Sequence, residues 1–145
     1  MTISKLGIIF GLGLVLASAV SIADKNHAVT MEYYYQIKWG HQEEFIELYK
    51  KNHLPLLKVL LESGHMLSVQ TERSVLHLPE DRRWDYRVTI VFRDANAALS
   101  EPPEEWEAAR ERLYPDQETF KQEESRRFGL LEAHWDVAVA DVKLE

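Results

Sequence analysis

From Thr30 to Trp39 the chain alternates. Tyr33, Tyr35, Ile37 and Trp39 fall on one side, and Glu32, Tyr34, Gln36 and Lys38 on the other. A period of two predicts a β-strand. Gly40 permits a turn, and the period then changes. Phe45, Leu48, Tyr49, Leu56 and Leu60 recur at helical spacing and predict an amphipathic helix to about Glu62, with Glu43 and Glu44 at its positive end. Pro55 cannot donate to the carbonyl of Lys51 and disfavours helical backbone at Leu54, so a kink or short break is expected near Asn52 to Leu54. Gly64 is placed to close the helix in a left-handed conformation.

A second strand is expected from His65 to Leu78, long enough to bend or bulge, then a charged turn from Pro79 to Arg83. The third strand, Trp84 to Arg93, has the clearest pattern. Trp84, Tyr86, Val88, Ile90 and Phe92 form an apolar face, and a hairpin joins it to the second strand. Asp94 is a cap for a short helical turn through Leu99. Pro102 and Pro103 precede a helix with Trp106, Ala109 and Leu113 on a narrow apolar stripe. Pro115 interrupts it, and Asp116 caps a further helix to about Phe128, closed by Gly129. The last strand, Ala133 to Lys143, sets Trp135, Val137 and Val139 against His134, Asp136, Ala138 and Ala140.

The order β-α-β-β-α-β predicts an α+β, ferredoxin-like sandwich: a four-stranded antiparallel sheet with both crossover helices on one face and strand one between strands three and four. Tyr33-x-Tyr35-x-Ile37-Lys38-x-Gly40, Glu44-Phe45, Leu48-Tyr49-Lys50 and Pro55-Leu56 resemble the opening of the dimeric α/β-barrel proteins, in the style of their NIPSNAP-like and EthD-like branches. The resemblance implies a homodimer whose two sheets pack face to face. Its members include cofactor-free monooxygenases, isomerases, haem-binding enzymes and proteins without a known reaction. No catalytic motif matches, so no catalytic residue is carried over.

The N-terminus changes the expected compartment. Lys5, the apolar run Leu6 to Ala17, and small residues at Ser21 and Ala23 form a signal-peptide pattern over residues 1–23, with cleavage before Asp24. An uncleaved membrane anchor is the alternative. The expectation is one domain, residues 24–145, periplasmic or secreted, with no membrane association after cleavage. The full chain's net charge of −7 and its dispersed basic residues argue against nucleic-acid binding. The absence of cysteine removes disulfides, thiolate metal sites and a cysteine nucleophile.

Two groups of residues can carry chemistry. His53 lies near the helical apolar stripe beside Pro55, and Tyr33, Tyr35 and Trp39 project towards that helix, giving an aromatic pocket with one ionisable group. The structural alternative is a core histidine bonded to a tyrosine hydroxyl or a free carbonyl. On the opposite sheet face, Tyr34, Gln36, Arg87, Thr89, His134 and Asp136 are expected together, with His134 as the titrating member. There the alternative is a polar dimer interface with Arg87 paired to Asp136 or Asp85. His53 and His134 are therefore the catalytic candidates, and Tyr33, Tyr34, Tyr35, Trp39, His53 and Arg87 the ligand-binding ones. No metal site and no cofactor are expected, since the histidines lack ligand spacing and no glycine-rich phosphate loop occurs. Three readings follow: a dimer binding a small apolar or aromatic molecule, a cofactor-independent oxygenase or isomerase, and a structural or partner-binding dimer without ligand.

Overall fold

The structure, a computed structural model, describes residues 27–142 and 144. The expected signal peptide, residues 1–23, and its expected cleavage site lie outside the described residues. Strand β1 (Val29–Ile37) leads through a turn at Gly40, where φ is +83°, into α1 (Gln42–Leu48). A π-helical turn (Tyr49–His53) links α1 without interruption to α2 (Leu54–Glu62). After Gly64, with φ +76°, comes β2 (Met66–Arg73) and a long connection with a 3₁₀ turn (Glu80–Arg82). Then follow β3 (Tyr86–Phe92), α3 (Ala95–Leu99), α4 (Glu104–Leu113), α5 (Gln117–Gly129) and β4 (Leu131–Val139).

All three strand pairings are antiparallel, in the order β2-β3-β1-β4. The expected ferredoxin-like sandwich is present, with β1 central. Phe45, Tyr49, Leu57 and Leu60 from the first helical run pack on Met31, Tyr35, Ile37, Val88, Ile90 and Phe92 from the sheet. Leu56 faces away from the sheet and builds a second cluster with Ala109 and Phe120, which fixes α4 and α5 against α2. Asp94 and Asp116 cap α3 and α5 by accepting from the backbone amides of Ala97 and Thr119, as their positions predict.

Four expectations need correction. The helix does not break before Pro55. Leu54 stays helical at φ −57°, ψ −38°, and its amide bonds back to the carbonyl of Tyr49, so one residue is absorbed as a wider turn. Gly129 lies within α5, and Leu130 caps it. Strand β2 ends at Arg73, and residues 74–79 leave the sheet. In β4 the facing is reversed: Tyr35 lies opposite His134, Tyr33 opposite Asp136, and Tyr34 opposite Trp135. The cause is a bulge. Ile37 pairs with Leu131 but Gln36 with Ala133, so Glu132 is an extra residue that inverts the parity of everything after it. His134 and Asp136 therefore share the helix-covered side of the sheet, while Trp135, Val137 and Val139 lie on the open side.

Candidate functional site

Pro55 and its surroundings shape the site. The π turn aligns Tyr49 and His53 on one wall, their rings 5.0 Å apart, and the His53 ring meets Trp106 of α4 edge-on at 5.7 Å. Beneath them Tyr33 and Tyr35 rise from β1. Between this wall, the sheet and the segment from Ala97 to Pro103 lies a half-open cleft of about 220 Å³. Its remaining walls are apolar: Leu57, Leu60, Met66, Val88, Ile90 and Phe92.

Three of the expected pocket residues thus come together: Tyr33, Tyr35 and His53. Trp39 does not join them. It lies beyond the end of β1, 66% exposed, with the Arg83 guanidinium 4.3 Å from its ring centre. Arg83 is itself buried and held by Asp85 and the carbonyl of Ile37, which anchors Trp39 away from the helices.

The cleft's ionisable groups are held neutral. Burial lowers the pKa of His53 to about 3, with nearby Arg127 and His134 acting in the same direction. The Tyr33 hydroxyl is pushed up to about 12 by burial and by Asp136, and burial raises Tyr35 and Tyr49 further. Among the described residues, neither nitrogen of His53 and neither hydroxyl of Tyr33 or Tyr35 meets a hydrogen-bond partner; the hydrogen-bonded core histidine is not what the structure contains.

His134 stands behind Tyr35, their ring centres 4.6 Å apart, and is 3.4 Å from Asp136. Its pKa is lowered by burial, against the opposing pull of Asp136. It does not line the cleft. Tyr34 and Arg87 do lie on the open face, without His134. Tyr34 stacks on Trp135 at 5.2 Å and donates to Glu32 at 2.5 Å. Arg87 pairs with Glu72 and, at 3.5 Å, with Glu32, in place of the expected Asp136 or Asp85.

Sequence reasoning placed Tyr49 and Trp106 in apolar stripes and missed their part in the cleft wall. The i, i+4 spacing of Tyr49 and His53 was the available signal. Arg127 gave none. Only 1% exposed, it is paired with Glu124 at 2.7 Å and lies 5.6 Å from the Tyr49 ring centre, supplying positive potential behind the aromatic wall. Among the described residues no group of three or more His, Asp or Glu side chains is placed to hold a metal ion. No helix among them is long and apolar enough to cross a membrane.

No family model matches the chain, and no curated protein matches its sequence. Solved structures do match. A protein of Arabidopsis thaliana is 16% identical over 81% of this chain and 98% of its own, with a TM-score of 0.51. A NIPSNAP family protein from Agrobacterium tumefaciens is 13% identical over 83% and 90%, with a TM-score of 0.47. A dabb family protein with a ferredoxin-like fold from Mesorhizobium loti is 10% identical over 80% and 98%, with a TM-score of 0.45. The likeness is one of fold.

Proposed function

We propose that this chain is an exported, dimeric binding protein for a small apolar or aromatic molecule. The observation that carries the binding reading is the cleft between α2 and the sheet, with Tyr33, Tyr35 and His53 on its walls. A solid core at this place would have favoured a dimer without ligand. An engineered apolar cavity of about 150 Å³ accepts benzene, so about 220 Å³ suits a single substituted ring. A screen of one-ring compounds by NMR should perturb the methyl groups of Met66, Ile90 and Ala98. Perturbations confined to the open sheet face would sink the reading.

The cofactor-independent enzyme is the second reading. It is favoured by the π turn, a feature frequent at functional sites, which presents His53 beside a line of tyrosines. It is weakened by the chemistry of the same histidine. A group titrating at about 3 is a poor base at neutral pH, because general catalysis works best with a pKa near the operating pH. Binding therefore ranks ahead.

Dimerisation is supported by the open sheet face. Trp135, Val137 and Val139 are 36%, 40% and 42% exposed there, beside Tyr34, a stripe that a second sheet would cover. Export to the periplasm or beyond rests on the pattern of residues 1–23.

A further inference from the structure

Every polar side chain that lines the cleft is uncharged, and most of these groups lack partners in the protein. His53 offers one donor and one acceptor nitrogen when neutral, and Tyr33 and Tyr35 offer hydroxyl donors. None of these meets a protein partner among the described residues. Two further hydroxyls line the cleft: that of Tyr49 is buried without a partner, and that of Ser100 donates to Asn96 at 3.0 Å. Arg127 does not line the cleft; Glu124 holds it through two bonds, at 3.0 and 2.7 Å, and its remaining terminal nitrogen is buried without a partner. An anion entering here would lose its hydration to apolar walls with no countercharge among the groups that line them. A bare hydrocarbon would leave the histidine and both hydroxyls without partners.

We infer that the cleft selects an uncharged one-ring ligand carrying a hydroxyl, which donates to His53 and accepts from Tyr33 or Tyr35. This rests on the binding reading above and adds to it the class of ligand. A phenolic hydroxyl both donates and accepts, so it meets the acceptor nitrogen of His53 and a tyrosine donor at once. The low histidine pKa agrees with this, since the ring stays neutral throughout the physiological range. The size of the cleft leaves room for a small substituent on the ring.

Calorimetry with p-cresol, toluene and benzoate separates the possibilities. On the wild-type protein p-cresol should bind roughly 10-fold more tightly than toluene, the effect of one well-placed hydrogen bond, and benzoate should bind most weakly of the three. In His53→Leu, which keeps the cleft filled and apolar, the preference for p-cresol over toluene should fall to about twofold or less. Tyr33→Phe, at a half-buried position tolerant of the change, should reduce the same preference if the histidine variant folds poorly. Benzoate binding as tightly as p-cresol, or a preference untouched by both variants, overturns the inference while leaving a binding site in place. Failure of all three probes to bind the wild type overturns the binding reading together with it.

Discussion

The hydroxyl of Tyr114 donates to the carbonyls of Lys51 and Asn52, at 2.9 and 3.0 Å, in the turn that carries His53. These carbonyls belong to the turn that Pro55 deprives of an amide donor. A side chain from the α4–α5 junction thus completes the backbone of the π turn. Lys51 and Asn52 add side-chain bonds to Glu123 of α5, at 2.5 and 2.9 Å. The backbone that carries His53 is therefore held by α4 and α5.

Tyr114→Phe removes that donor without opening a cavity. It should cost about 1–2 kcal/mol in a urea melt and speed amide exchange at Leu54. Pro55→Ala returns an N–H to the turn, so the Tyr114→Phe cost should shrink by about 0.5–1 kcal/mol in that background. Strict additivity of the two changes would show that the hydroxyl and the missing amide are not linked.

Much of the fold was legible because the strands alternate cleanly and the caps are chemically explicit. Asp94 and Asp116 could be read from position alone. The irregularity beside Pro55 was legible as a disturbance but not as a π turn, because its form depends on Tyr114, which is 59 residues further along the chain. The facing of β4 was not legible. An extra residue at Glu132 leaves no mark in the alternation of Trp135, Val137 and Val139, yet it decides which side they take. The natural assumption, that an apolar stripe faces the helices, failed there. Trp39 misled for a related reason: alternation places a residue on a side of the strand, and Arg83 then holds it beyond the sheet.

The open face gives the prediction on assembly. Light scattering at micromolar concentration should report a dimer, and Val137→Glu should yield a folded monomer with unchanged far-ultraviolet dichroism. A charge placed in the middle of a sheet-to-sheet contact loses its water without a partner, which a weak or standard-sized interface does not tolerate. A wild-type monomer at that concentration would count decisively against the dimer.

Export predicts a defined chemical product. Mass spectrometry of protein recovered from a bacterial envelope fraction should find the chain beginning at Asp24, because Ser21 and Ala23 present small residues to the peptidase. An intact chain beginning at Met1, recovered from the cytoplasm, would refute it.

His53 and Leu56 stand three residues apart and should respond differently to truncation. Leu56 is 1% exposed and wedged between Ala109 and Phe120, so Leu56→Ala should cost about 2–5 kcal/mol. His53 borders the cleft and bonds nothing in the protein, so His53→Ala strands no partner. Its loss is that of ring contacts with Tyr49 and Trp106, about 1 kcal/mol. Equal losses in the two variants would mean that His53 is a structural residue after all.

The same histidine links stability to pH, with a definite sign. Its pKa falls from 6.5 in the unfolded chain to about 3 in the fold, so between these values the unfolded state binds a proton that the native state does not. Stability contributed by the neutral ring is complete above 6.5 and is lost as the pH falls towards 3. His134, also lowered, acts in the same direction, and carboxylates paired in the native state add their own losses nearer pH 4. Comparing wild type with His53→Leu cancels these shared contributions. Between pH 6.5 and 4.5 the wild type should lose up to about 2 kcal/mol more than the variant. The limit applies to a ring wholly cut off from water, and opening of the cleft to solvent lowers it. Parallel urea melts of the two proteins at both pH values supply the measurement. Equal losses would place the His53 pKa near its ordinary value, with a ring that is hydrated and charged in mild acid, and would remove the neutral histidine from the account of the cleft.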